Sequence, residues 1–429
     1  MRVWDQPPHL SVVHYRGVEL KAVKNYFRGT QRSVPPEETL RRISPLFPAA
    51  GITRLADITG LDTVGIPVTL AIRPNGRTLS SSAGKGMTLE AALVSAAMES
   101  LELHHAEEWS PVAVRRSYEE ISDEFPVPDP EDLPLSRAAP FPPDWPYLWT
   151  FGWDVLSQEE VAVPVSMIHM GNRTSRIFDL FSFQVTSSGL ASGNNLAEAL
   201  HAALSEVIER DAATCRQERW DAQRTPPPVL DPDAVELPAV RELLDRLRKA
   251  DVGVLLFDCT VDTRVPVYMA DIFDRTRQVD GTYRGYGAHL DPEIALTRAL
   301  TEAVQARTVH IAGSRDDIFR NRDLHTHAHA DHEYERMLSM ADGTPPVVAG
   351  RPGASEATAT FEGDICLMLE RLRAVGIQRV IVVDLSRPGS PISVVKVVVP
   401  GLEGYRMENY APGRRARRFA QSSAIGVNS

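Results

Sequence analysis

The chain has 429 residues, 43% of them hydrophobic, and 46 Lys and Arg against 57 Asp and Glu give a formal net charge of −11. That length is enough to bury a large core, in one domain or in two or three, and the acidic balance argues against broad nucleic-acid or membrane-surface binding. The three cysteines, Cys215, Cys259 and Cys366, form no C-x-x-C pair, so neither a disulfide framework nor a structural zinc site is expected.

The N-terminal "MRVWDQPPHL" lacks the basic-then-apolar pattern of a signal peptide. No apolar run approaches the ~18 residues that span a bilayer, so the sequence reads as cytoplasmic, with no membrane partner. "PPEETLRRISPLF" (35–47) predicts a short helix, and "GIPVTLAIRP" (65–74) a strand ending at Pro74. A glycine-containing loop at 81–88 precedes a helix. Residues 122–147 are rich in proline and acid, which predicts an irregular surface connection. "VAVPVSMIHM" (161–170) reads as a strand, and a second Gly/Ser loop and helix occupy 187–214. "VGVLLFDCTV" (252–261) and "RVPVYMADIF" (264–273) read as strands, and a third glycine loop and helix occupy 285–311. Residues 315–360 read as a polar insertion. Within them "HTHAHADH" (325–332) holds four histidines as a strand or loop, suited either to zinc or nickel or to a solvated surface. An amphipathic helix at 363–375, strands at 379–385 and 392–400 and the basic run 413–420 complete the chain. Alternating strands and helices predict a mixed α/β (α+β) fold, with repeated loop–helix units packed on mixed sheets.

Three segments follow one pattern without a gap: "ALVSAAMESLE" (92–102), "ALHAALSEVIE" (199–209) and "ALTRALTEAVQ" (295–305). On a helix, at roughly 100° per residue, Ala92, Ala96 and Glu99 fall in one stripe, as do Ala199, Ala203 and Glu206, and Ala295, Ala299 and Glu302. Small residues there would let another backbone or a ligand approach closely. Glu99 and Glu102 lie among Ala, Val, Met and Leu, and Glu206 and Glu209 among Ala, Leu, Val and Ile. Like charges in such company need a neutraliser, and carboxylate oxygens suit Mg2+, which also binds substrate phosphates. The glycines before each helix could present backbone N–H groups to an anion. None of the three loops fits the Walker A or Rossmann pattern in its expected context. A purely structural duplication is the competing reading.

At these residues, and through "TSSGLASGNNLAEALHAALSEVIERDA" (186–212) and "GYGAHLDPEIALTRALTEAVQART" (285–308), the chain resembles the YcaO family. "YFRGTQRSVPPEETL" (26–40), "IAGSRDD" (311–317) and "VVPGLEGYRMENYAPGRRAR" (398–417) resemble the subgroup encoded beside TfuA proteins. The resemblance implies a YcaO-type ATP-binding fold: an N-terminal segment at 1–60, an ATP-binding catalytic domain at 61–415, with flexible segments near 122–147 and 315–360, and a tail at 416–429. It implies ATP and Mg2+ as cofactors, a ribosomal precursor peptide as substrate, a TfuA-like partner and a homodimer. It makes Glu99, Glu102, Glu206 and Glu209 magnesium-bridging ligands, and Asn194, Glu198 and Arg210 nucleotide contacts. Gln305 and Arg307 are placed near the nucleotide, and Lys85 is either a phosphate contact or a solvated loop lysine. Family members add a nucleophile to a peptide carbonyl and phosphorylate the resulting oxygen, giving a thioamide with sulfide or an azoline with a Cys or Ser side chain. The tail "SSAIGVNS" lacks the proline-rich end of many azoline formers, which turns the expectation toward the thioamide. Ser188 stands where relatives often carry asparagine. No protein nucleophile is evident. An azoline or amidine product, and a non-catalytic ATP-binding partner, are the alternatives.

Overall fold

The computed structural model describes residues 10–137, 139–171, 180, 182–279, 281–313, 327–343, 348–406 and 410–422. Three sheets and three long helices form the body. A three-stranded sheet runs Arg54–Asp57, Val68–Ile72, Ser81–Lys85. A four-stranded sheet runs Val229–Leu230, Val252–Asp258, Val267–Asp274, Thr282–Ala288. A six-stranded sheet runs Glu159–Pro164, Tyr147–Asp154, Ile381–Asp384, Ser393–Val398, Leu190–Gly193, with Val114–Arg116 also on Tyr147–Asp154. The fold is mixed α/β as expected. Among the described residues, however, every pairing between these strands is antiparallel, so the sheets are not mixed.

The repeated unit is strand–helix, not loop–helix. Ser81–Lys85 leads into the helix Leu89–Glu108, Leu190–Gly193 into Leu196–Gln223, and Thr282–Ala288 into Pro292–Ala312. Each helix is capped by its own preceding side chain: Thr88 accepts from Ala91 N, Asn195 from Glu198 N and Asp291 from Glu293 N. First-turn donors that could have met an anion are therefore partly taken. The glycines serve packing. A Cβ on Gly84 would lie 2.1 Å from Ala92 O and 2.2 Å from Ala96 N, and one on Gly287 would lie 2.0 Å from Ala295 O. Each alanine stripe is thus the bed for its own strand, a close approach of backbone to backbone that only glycine opposite alanine permits.

Gly285 tests this. A methyl there would sit 2.2 Å from Ala299 O and 2.4 Å from Ala303 N. Neither backbone atom can swing aside, so Gly285→Ala is expected to cost about 1–3 kcal/mol or more, read by urea denaturation. Wild-type stability in that variant would disprove the tight strand–helix contact.

Local boundaries differ from the sequence reading where proline or a cap intervenes. The strand expected at 161–170 ends at Pro164, and Val165–Ile168 forms a helical turn. The second acidic helix runs on to Gln223, where Arg224 closes it in the left-handed conformation. Tyr118–Glu124 is a helix with a full capping box at Ser117 and Glu120, inside the connection's N-terminal edge. The basic run is a helix, Arg414–Gln421. Of the segment 315–360, His327–Asp342 is helical, so the histidine run is neither strand nor loop from His327 onward. His325 and the tail beyond 422 lie outside the described residues. Residues assigned to the N-terminal segment are built into the body. The hairpin Asn25–Phe27/Thr30–Arg32 is tied down where Lys24 pairs with buried Asp364 and Ala22 N donates to Glu362. The helix Pro36–Ile43 then packs on the first acidic helix. Among the described residues no helix is long and apolar enough to cross a membrane.

Candidate functional site

The three acidic helices converge on a cleft of about 640 Å³. Glu99 and Glu102 reach it from the first helix, Glu198, Glu206, Glu209 and Arg210 from the second, and Arg298, Glu302 and Gln305 from the third. Lys85 and Asn194 line it from the strands or their ends, and Arg32 and Thr39 from the N-terminal hairpin and helix. A cleft of this volume is of the size that takes a small-molecule ligand.

Its acids are held in costly positions. Glu102 Oε1 accepts from Ser192 N (2.8 Å) and Ser192 Oγ (2.6 Å). Even so, enclosure, reinforced by the charges of Glu99 and Glu206, pushes its carboxyl up to about 8. Glu209 is 2% exposed, and its Oε2 has no hydrogen-bond partner. Burial, with Glu302 and Glu206 nearby, raises its pKa, and Arg210 only partly offsets this. Arg210 lies 3.4 Å from Glu209 Oε1 and 3.6 Å from Glu206 Oε1. Glu302 is half-buried, and Lys85 Nζ, 2.6 Å away, and Arg210 hold its carboxyl below the ordinary value against the desolvation it meets. Lys85 is therefore a strand residue anchored across the cleft, not a solvated loop lysine.

The remaining predicted residues divide. Asn194 donates to Thr39 Oγ1 (3.1 Å) and sits 3.4 Å from Glu198, whose carboxylate also takes Ser33 N (3.1 Å) and Ser33 Oγ. Gln305 donates to Ala83 O (2.7 Å) at the cleft wall. Arg307 does not join them. It is 2% exposed and bonded to Asp62 (3.1 Å) and Asp274 (3.3 Å), away from the cleft lining. The reason is helical geometry: residues two apart face opposite ways, so Gln305 and Arg307 cannot serve one site.

Several cleft residues escaped the sequence reading. Glu302 stands in the same stripe position as Glu99 and Glu206 but has no site role in the sequence reading, because its partner three residues on is Gln305. Arg32, Thr39 and Arg298, and Ser33 behind them on Glu198, carry no such signal. Arg298 Nε is buried without a hydrogen-bond partner, on a cation that lines the cleft and acts on the charges of Glu209 and Glu302. All three cysteines are buried. Burial raises the Cys215 thiol, pushes Cys259 up to about 12 and Cys366 up to about 11, so none is a ready thiolate nucleophile.

One further cluster, His201, His289 and Asp364, has metal-ligand composition. Within it Lys24 neutralises Asp364 and His289 Nδ1 accepts from Asp291 N, while His201 Nε2, 3.3 Å from Asp364 Oδ2, has no hydrogen-bond partner. The cleft offers several carboxylate oxygens, one without a hydrogen-bond partner, beside the cations of Lys85, Arg210 and Arg298. Its donor set fits a hard divalent cation carrying a polyphosphate.

This fit has a pH consequence. The folded protein keeps a proton on Glu102 up to about pH 8, whereas the ordinary Glu value is 4.5. Between those values the unfolded chain has lost a proton that the folded one retains, so stability falls as pH rises through the window. A cation held by Glu102 would have to displace that proton. Binding of AMPPCP with Mg2+ at pH 7 is expected to release protons, seen as a dependence of calorimetric heat on buffer ionisation enthalpy, and to raise Tm more at pH 8.5 than at pH 6. Heats that are independent of buffer would contradict the assignment.

The family model described as "YcaO cyclodehydratase, ATP-ad Mg2+-binding" matches residues 83–403. An uncharacterised protein in the tfuA 3' region of Rhizobium leguminosarum bv. trifolii is 35% identical over 385 residues, 87% of this chain and 88% of its own. Among solved structures, YcaO from Methanopyrus kandleri bound with AMPPCP and Mg2+ is 26% identical with a TM-score of 0.67, over 88% of this chain and 93% of that one. A heterocyclase in complex with substrate and cofactor superimposes with a TM-score of 0.72 at 22% identity over 92% of this chain, which spans 56% of that protein; this likeness speaks for the fold alone. With the family model covering most of its length and a long relative above 30% identity, this chain belongs to the YcaO family of ATP- and Mg2+-binding proteins.

Proposed function

We propose that the protein activates a backbone amide of a ribosomally made peptide by ATP-dependent O-phosphorylation, and that sulfide then gives a thioamide with the help of a TfuA-like partner. The carrying observation is the convergence of Glu102, Glu206, Glu209 and Glu302 with Lys85, Arg210 and Arg298 in one cleft. The neighbourhood of the Rhizobium relative supports the partner.

Amide oxygen is a poor leaving group, and a bound magnesium–nucleotide supplies the phosphoryl group that makes its departure easy. The chain's own task is positioning and charge balance. The acids Glu99, Glu102, Glu206 and Glu209 would hold the cation. Lys85, Arg210 and Arg298 would meet phosphate oxygens, Arg through its planar fork. Asn194, Glu198 and Gln305 would orient the nucleotide from the strand ends and the hairpin side. A cytoplasmic homodimer completes the proposal by family resemblance.

The family model's cyclodehydratase description favours a second reading, an azoline or amidine product. Mass spectrometry of a candidate peptide incubated with ATP, Mg2+ and sulfide, with and without the TfuA-like protein, separates the two. Exchange of one oxygen for one sulfur is expected, and loss of one water would favour the second reading. Nucleotide binding without any phosphate release would refute both and leave a recruitment role.

A further inference from the structure

A second opening lies behind the phosphate-binding side of the cleft. It holds about 450 Å³ and is lined by Thr214, Gln217, Arg284, Tyr286, Tyr405 and Tyr410, among others. It shares Arg284 with the main cleft. The wall between them is short. The Arg210 guanidinium, which faces Glu206 and Glu209 on the cleft side, stacks over the Tyr405 ring at 4.9 Å. Tyr286 N lies 3.4 Å from Glu302 Oε1. Thus each acid at that end of the cleft is one residue away from the second opening.

Arg284 is fixed at this junction. On its strand, Gly285 and Gly287 face the third acidic helix, so Arg284 and Tyr286 face the other way. Asp271, fully buried, accepts from Arg284 Nε and Nη2 at 2.7 Å each. That bidentate grip uses one edge of the fork; the guanidinium also hydrogen-bonds Tyr286, and the side chain remains 33% exposed toward the opening. A cation so held is pre-organised for charge that develops during a reaction.

Resting on the amide-activation reading above, we propose that this second opening admits the acceptor peptide and that Arg284 is a catalytic residue, donating to the amide oxygen as it becomes an oxyanion. Tyr286 and Tyr410 are buried at its floor, and the exposed Tyr405 suits an extended backbone, whose flat peptide units stack on rings. The balance closes with reagents already named. Hydrosulfide forms a bond to the amide carbon, and the carbonyl π pair moves to oxygen beside Arg284. That oxygen takes the γ-phosphoryl group as the bond to ADP breaks. The C–O bond then breaks, phosphate leaves with the electron pair and the sulfur-borne proton, and the C=S bond forms. Because acceptor and nucleotide enter from opposite sides of the Arg210–Tyr405 wall, neither blocks the other.

The test uses the full-length protein, AMPPCP with Mg2+, and a randomised decapeptide library in which each member carries a diazirine side chain. Irradiation followed by peptide mapping is expected to place adducts on Gln217, Tyr286 and Tyr405. A Gln217→Trp plug is expected to remove them at least tenfold while AMPPCP affinity stays within threefold. Adducts elsewhere, or an unplugged signal no higher than the plugged one, overturn the entrance. For the catalytic role, Arg284→Lys keeps the charge facing Asp271 and so guards against misfolding. It is expected to lower peptide-dependent kcat about 100-fold with peptide KM and AMPPCP affinity unchanged. A change confined to KM, or none, overturns that role. If the wild-type protein itself fails to bind AMPPCP with Mg2+, the amide-activation reading falls, and this is distinguishable because the adduct map does not depend on turnover.

Discussion

Glu209→Gln is expected to lower the affinity for AMPPCP with Mg2+ by roughly 100-fold or more, about 2.8 kcal/mol at 1.4 kcal/mol per tenfold, while Tm holds or rises. The argument begins from position. Glu209 is 2% exposed on the inner face of the Leu196–Gln223 helix, and one of its oxygens is bonded to nothing. A carboxylate there is disfavoured by burial and by the charges of Glu302 and Glu206, and Arg210 at 3.4 Å is its closest relief. In the protein without a ligand this group is therefore a strain on the fold, and a neutral amide of the same shape removes that strain. On the proposed assignment the same carboxylate would become a ligand once a divalent cation enters the cleft, and glutamine would be a poor substitute. Calorimetric titration and a thermal melt of the same sample read both outcomes. A variant that binds as tightly as wild type, or melts several degrees lower, would make Glu209 a structural partner of Arg210 and remove it from the metal set.

Arg307→Ala is expected to destabilise the fold by about 3–5 kcal/mol, the usual consequence of removing one member of a buried ionic group, with nucleotide affinity of the folded fraction unchanged. Arg307 Nε lies 3.1 Å and 3.3 Å from the two Asp62 oxygens, and Nη2 lies 3.3 Å from Asp274 Oδ2. Asp62 and Asp274 are 9% and 6% exposed. Burial works against the Asp274 charge, yet hydrogen bonds from Thr276 together with Arg307 bring its pKa below the ordinary value. Cutting Arg307 back to alanine leaves two carboxylates in the interior without their cation. The triad fastens the end of the third acidic helix to the loop before Val68–Ile72 and to the strand Val267–Asp274, so the loss is expected in the cooperative unfolding transition, followed by urea denaturation. An intact Tm with lost AMPPCP binding would reverse the assignment and return Arg307 to the nucleotide.

The sequence alone carried the periodicity. Three copies of one apolar and acidic pattern declared three helices, and the spacing of Glu99, Glu102, Glu206 and Glu209 declared that each helix presents its acids on one side. Those are local properties, set by the pitch of a helix, and they survive into the structure: all four glutamates line one cleft with Lys85, Asn194, Glu198, Arg210 and Gln305. The glycines were legible as special but not as to purpose. Only the packed strand shows that Gly84, Gly285 and Gly287 make room for alanine backbone. The N-terminal residues Arg32, Ser33 and Thr39 are far from the acidic helices in sequence, and no pattern linked them to Glu198 or Asn194 until the hairpin folded over the cleft. Arg307 and Arg284 mark the same boundary from two directions. One stood beside a site residue in sequence and turned away because helix neighbours two apart diverge; the other stood in an unremarked strand and reached the cleft because alternate strand residues take opposite faces. Which face meets which partner is decided by long-range packing, and local spacing contains no record of it.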